Sequence, residues 1–217
     1  QCPDSAATMH AIMTGYKTKT GTLGYSKEVI RGDITSTKQA GGDAVKHTTM
    51  LEIFEKMGRS TGVVSTAEIT HATPAACYAK SIDRGYKSDI YLAYNTAAIN
   101  AGAKDIARQL IEFPYGNGID VAMGGGRYSF KPIGRIDRED LTKDWLNQPN
   151  SIYVQSLEEL GEIDYKATDK VLGLFGNGHM SYEYDRATVV GNQEPSLSEM
   201  TVAIRLTLES LIFSFCI

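Results

Sequence analysis

Short helical patterns of apolar residues alternate along this chain with short β-rich runs, and that alternation constrains the fold more than any other feature of the sequence. Strands separated by helices pair in parallel, so the pattern predicts an α/β protein with a mainly parallel sheet. A first helix is expected from Ser5, capped by Asp4, with Ala6, Met9, Ile12 and Met13 on one face and Gly15 at its end. A polar, glycine-rich loop then leads to a second helix over about 47–57, with Met50, Leu51, Phe54 and Met57 inward and Gly58 as its stop. Ser60 to Thr66, Ile119 to Met123 and Lys170 to Phe175 read as strands. Between the first two of these, Pro74 predicts an extended Thr73 and a helix beginning at the proline itself, which places Thr73 at a strand end where ligands of parallel sheets lie. Ser156 with Glu159, and Ser196 with Glu199, have the spacing of helix capping boxes; the second opens a helix carrying Met200, Ile204 and Leu208. No linker divides the chain, so residues 1–217 are read as one domain, with the charged stretch 128–150 as a surface excursion.

Composition excludes several classes. With 22 Lys and Arg against 26 Asp and Glu the net charge is -4, which offers no basic surface for a phosphate backbone, so no nucleic-acid partner is expected. No run approaches the roughly 18 apolar residues of a membrane span. The cysteines Cys2, Cys77 and Cys216 have no metal-ligand spacing and cannot all pair, which excludes a disulfide framework. The chain opens on Gln1 and closes on the apolar run Leu211 to Ile217, from which a partial chain is expected.

Four features can carry chemistry, and each has an ordinary structural counterpart. Ser5 at a helix start is either a cap or a nucleophile facing amides and a dipole that stabilise an attached phosphate. His71 and Thr73 at a strand end are either a satisfied polar pair or ligands. Arg84 is either a surface residue or a forked phosphate clamp. Gly124-Gly-Gly-Arg127 after a strand is either a turn or a phosphate-cradling loop, although the full G-x-G-x-x-G is absent. H-E-x-x-H, C-x-x-C and G-x-S-x-G do not occur. The residues alone therefore lead to an α/β protein with phosphate-binding features.

In chain order, Pro3-Asp-Ser-Ala6 with Thr14-Gly-Tyr-Lys-Thr18, Ser60 to Val64, Thr70-His-Ala-Thr-Pro-Ala-Ala76, Asp105 to Leu110, Ile119 to Arg127, Leu172 to Phe175 and Pro195 to Met200 resemble the alkaline phosphatase family. The resemblance implies a three-layer α/β/α sandwich, incomplete here, and hydrolysis of small phosphate monoesters through a covalent phosphoserine, assisted by two zinc ions and one magnesium. Ser5 matches the nucleophile, which is also a zinc ligand when unphosphorylated, and Arg84 matches the arginine that binds the substrate phosphate. Thr73 matches the hydroxyl ligand of magnesium, and His71 a neighbouring position that acts on magnesium through a water. Asp4 comes with the nucleophile motif as a helix cap. The family also implies a homodimer and a periplasmic or extracellular setting. Its upstream metal-binding Asp and its downstream metal-binding half have no counterpart here, so the chain alone is expected to be inactive, with most ligands outside it. Gly176 stands where animal members carry a carboxylate for a calcium site, and no such site is expected. The competing readings are a non-catalytic phosphate-binding protein on the same scaffold and, more remotely, a dinucleotide-binding oxidoreductase built on the 124–126 glycines.

Overall fold

Strands β1 (Ser60–Glu68), β2 (Val121–Gly125), β3 (Ser151–Val154), β4 (Lys170–Leu174) and β5 (Ser214–Cys216) lie side by side in the order β3-β4-β2-β1-β5. This is a computed structural model, and it describes residues 3–209 and 214–216. Cys2, and all of the apolar run Leu211 to Ile217 except the backbone of β5, lie outside the described residues. Every strand pairing is parallel. The core shows why the strands read as continuous apolar runs. On β2, Ala122 faces one hydrophobic cluster while Val121 and Met123 face the other. On β4, Leu172 and Leu174 face the first and Val171 the second. A sheet buried on both faces needs apolar residues at every position.

The first cluster is closed by the helices Ser5–Thr14, Met50–Lys56, Ala72–Tyr78, Ile106–Ile111 and Leu141–Leu146, and the second by Leu157–Gly161 and Leu197–Glu209. Helices thus cover both faces, and the result is a three-layer α/β/α sandwich. Met200, Ile204 and Leu208 are buried as their four-residue spacing predicts, and Ser196 and Glu199 form the reciprocal capping bonds. Gly62 of β1 makes this packing possible, since a Cβ there would overlap Ile204 Cδ1.

Four expectations need correction. Ile12 is 60% exposed, and His10 takes the inward place, where its Nδ1 accepts from the Gly24 amide at 3.1 Å and its Nε2 meets His47 Nδ1 at 3.0 Å. Burial, with the neighbouring charges of His47 and Lys80, pushes the His10 pKa down to about 4, so the pair is neutral. The second helix starts at Met50, after the cap Thr49, and Met57 is 60% exposed while Glu52 and Glu55 are buried. Polarity misleads there because each carboxylate has a partner, Lys80 for Glu52 and the Thr61 hydroxyl for Glu55. The helix after β1 starts at Ala72, so Thr73 is helical and exposed, and Pro74 is the third helical residue. A proline is accommodated throughout a first turn because those amides have no intrahelical acceptor. Finally, the 128–150 stretch is not a surface excursion. It carries Phe130, Leu141 and Trp145 into the first cluster, and Trp145 Nε1 donates to Ile152 O of β3 at 3.1 Å. β3 is a strand that the sequence pattern does not predict.

Two buried ionic groups fasten these layers. Arg135, 1% exposed, spreads its guanidinium over Asp105 at 3.0 and 3.2 Å and Asp137 at 2.7 and 3.0 Å. Removing it strands the buried carboxylate of Asp105, while Asp137 keeps Arg108, and Arg135→Ala is expected to lower unfolding stability by roughly 3–5 kcal/mol in denaturant melts. At the N-terminal ends of the strands, Glu55, 1% exposed, sits near Asp120 and Lys170, and burial pushes its carboxyl up to about 7 from 4.5. Between those values the folded state holds a proton that the unfolded chain has released. Stability therefore falls as pH rises from about 4.5 to about 7, by about 3 kcal/mol from this group. Glu55→Gln is expected to flatten that fall in melts at pH 5 and 8, and a wild-type slope in the variant would assign it elsewhere.

Candidate active site

The C-terminal ends of parallel strands expose loop backbone and helix starts to one side of the sheet, and chain segments remote in sequence meet there. Asp4 caps the Ser5–Thr14 helix, its Oδ1 accepting from the Ala7 amide at 3.0 Å and its Oδ2 from the Gly21 amide at 3.1 Å. Ser5 is consequently the first helical residue, at the positive end of the helix dipole. Arg84 comes from the segment after the Ala72–Tyr78 helix and is pinned by its own amide, which donates to Gly21 O at 2.8 Å. Its guanidinium then reaches back 79 residues: Nη1 donates to Ser5 Oγ at 2.8 Å and to Asp4 Oδ2 at 3.0 Å. Partial burial works against ionisation of Asp4, but the Ala7 amide, the Arg84 guanidinium and the Gly21 amide outweigh it and hold the carboxyl below its usual range.

His71 stands at the junction of β1 and the next helix, with Nε2 3.0 Å from Arg84 Nη2. Guanidinium can only donate, so Nε2 is the bare nitrogen of the ring. Burial and the positive charge of Arg84, followed by His179 and Lys87, lower the His71 pKa and keep the ring neutral. The fork of Arg84 is thus held by a carboxylate and a hydroxyl on one side and an imidazole on the other. Thr73, two residues on, is exposed on the first turn of its helix. The structure therefore brings Ser5, Arg84 and His71 into contact and leaves Thr73 beside them without a bond to Arg84.

The glycine-rich turn has a different task. The amides of Gly126 and Arg127 donate to Gly176 O, Gly126 also to Gly178 O, and that of Tyr128 to Asn177 O, all within 2.8–3.3 Å. Amides engaged in this way cannot cradle a phosphate. They dock the 176–179 loop against the end of β2, and only glycine fits at 125, where a Cβ would overlap Gly178 O. That loop brings His179 to the site, its ring edge-on to His71 at 4.9 Å between centroids, with Nδ1 accepting from the Glu68 amide at 3.0 Å. Glu68 closes β1 and pairs with Lys87 at 2.5 Å. Sequence reading missed Glu68, Lys87 and His179, and it gave Asp4 a cap without its ion pair. The strand read from the sequence stops at Thr66, short of Glu68, and nothing local marks His179, which lies 111 residues beyond Glu68.

A cavity of about 610 Å³ lies apart from this cluster, lined by residues including Tyr25, Lys46, His47, Glu52, Lys80 and Tyr115. Its lysines are already matched, Lys46 by Asp43, Lys80 by Glu52 and Lys104 by Glu112, so it offers no uncompensated charge to a phosphate. Among the described residues no three His, Cys, Asp or Glu side chains are grouped to hold a metal ion.

A family model described as alkaline phosphatase matches residues 1–209. The tissue-nonspecific alkaline phosphatase isozyme of Mus musculus is 37% identical over 231 residues, which cover 97% of this chain and 42% of that protein. The chain therefore spans about two fifths of the length of this relative. Among solved structures, alkaline phosphatase of Thermus thermophilus superposes with a TM-score of 0.72 at 28% identity, covering 99% of this chain and 37% of that one. A mutant of the TAB5 alkaline phosphatase with magnesium bound in its M3 site shares the fold, with a TM-score of 0.66 at 22% identity, covering 99% of this chain and 49% of that one.

The double use of Asp4 is testable. Asp4→Ala removes both cap and ion pair and is expected to cost about 1–2 kcal/mol in denaturant melts. Asp4→Asn keeps an acceptor for the Ala7 amide and should recover most of that loss, whereas equal losses would place the stability in the Arg84 pair.

Proposed function

The chain belongs to the alkaline phosphatase family, and from that membership we propose that it carries the nucleophile and the phosphate clamp of a phosphate monoester hydrolase. The observation that carries this reading is the 2.8 Å bond from Arg84 Nη1 to Ser5 Oγ at a helix start. A serine there faces amide hydrogens and a positive dipole, and the fork beside it suits two non-bridging phosphoryl oxygens. Ser5 Oγ attacks phosphorus, the alcohol departs with its oxygen, and water then cleaves the resulting phosphoserine. Arg84 stays with the phosphoryl group through both displacements, and Asp4 and His71 keep its plane aligned, so its bonds strengthen as charge builds on the equatorial oxygens.

Two zinc ions and one magnesium are the proposed cofactors. Thr73 is proposed as an oxygen ligand of magnesium, His71 as a neighbour acting through a water, and Ser5 as a zinc ligand before phosphorylation. The residues of this chain do not by themselves fit such a centre: no group of three ligands exists among the described residues, and the His71 lone pair at Nε2 is taken by Arg84. Activity is accordingly proposed for a protein of the family's length, as a homodimer in a periplasmic or extracellular setting, and the isolated chain is proposed to be inactive. The missing ligand set also favours a second reading for the chain alone, anion binding through Ser5 and Arg84 without turnover.

The test is hydrolysis of a chromogenic phosphate monoester at pH 8 to 10, with and without zinc and magnesium. The full-length protein is expected to turn over only with metals and to yield acid-stable phosphoserine on quenching, and Ser5→Ala to abolish both. Arg84→Lys, which keeps the charge but loses the fork, should reduce kcat/KM by roughly 10- to 100-fold. A metal-loaded parent that binds inorganic phosphate yet hydrolyses nothing would leave the binding reading in its place.

A further inference from the structure

Beside the clamp lies a group of polar atoms that the proposed chemistry does not use. The His179 ring is locked on one side, since Nδ1 accepts from the Glu68 amide, which leaves Nε2 as the protonated nitrogen and an available donor on an exposed ring. The Glu68 carboxylate is oriented by Lys87 through Oε2, and its Oε1 takes no hydrogen bond among the described residues. The loop carrying His179 is held firmly, by the 126–128 amides and by Met180 N donating to Thr66 O at 2.9 Å, so the pair is preorganised. The donor and the acceptor belong to residues joined through the Glu68 amide, with Glu68 Oε1 3.7 Å from the position a Cβ would take on Gly178, next to His179, and the His71 ring stands between the His179 ring and the Arg84 fork.

We propose that His179 and Glu68 form a subsite for the alcohol part of the substrate and select phosphate monoesters of polyhydroxy alcohols, such as polyol and sugar phosphates. This rests on the phosphatase reading above. Neighbouring hydroxyls are each donor and acceptor, so a diol satisfies both the His179 Nε2 hydrogen and Glu68 Oε1, whereas an alkyl phosphate leaves both to water. The surroundings argue against a second anionic group, because the nearest cations, Arg84 and Lys87, are already paired with Asp4 and Glu68.

The experiment compares kcat/KM for glycerol 3-phosphate and for ethyl phosphate in the metal-loaded full-length protein and in its His179→Ala and Glu68→Gln variants. The wild-type protein is expected to prefer glycerol 3-phosphate. His179→Ala should reduce that preference about tenfold, mainly through KM, the worth of a hydrogen bond to one hydroxyl. Glu68→Gln, which keeps the shape of the side chain, should reduce it in the same direction. An unchanged preference in both variants, or equal loss on both esters, overturns the subsite, the second outcome assigning His179 to the support of His71. Wild-type protein that hydrolyses neither ester overturns the phosphatase reading and the subsite with it.

Discussion

Parallel pairing of β1 with β2, in register from Gly62 opposite Val121 to Val64 opposite Met123 and resumed in a shifted register at Glu68 opposite Gly125, is the constraint from which the remaining organisation follows. Parallel neighbours cannot be joined by a tight turn, so each return passes over a face of the sheet and buries it. With both faces buried, polar work is confined to the strand ends. The register shifts between Val64 and Glu68, and the pairing closes at Glu68 opposite Gly125, three residues before His71. One end of the sheet collects Ser5, His71, Arg84 and His179, and the other collects Glu55, Asp120 and Lys170.

At the first of these ends the charges are compensated before any ligand arrives. Arg84 has Asp4, Lys87 has Glu68, and His71 is kept neutral by burial and by the guanidinium beside it. Such compensation holds a planar fork in one orientation, at the expense of some of its pull on an anion. The relation of Arg84 to Ser5 is therefore as much geometric as electrostatic, which suits the role of phosphate clamp proposed for it.

Part of this was legible in the residues. The Asp4 cap, the Ser196 and Glu199 box and the 200, 204, 208 face rest on bonds and contacts within a few residues, where local pattern is decisive. The motif around Ser5, His71, Thr73 and Arg84 was legible because it resembles a family, and the contacts among Ser5, Arg84 and His71 then followed from the fold. Reading failed where a distant partner changes the meaning of a residue. The inward face read for the second helix included Met57 and left out Glu52 and Glu55, which Lys80 and Thr61 hold inside. The charged stretch around Arg135 looked like surface until Asp105 closed on it.

By itself, then, the sequence determined the alternation of helices and strands, the parallel sheet, the helix caps and the chemical types gathered around Ser5, because each depends on neighbours within a turn or a strand. Only the tertiary structure decided that His10 points inward, that Thr73 is helical, that the 124–126 glycines dock a loop, and that this loop sets His179 against His71. Those outcomes depend on which groups compete for the same buried donors and acceptors. That competition exists only once segments far apart in the chain have been brought within a few ångströms.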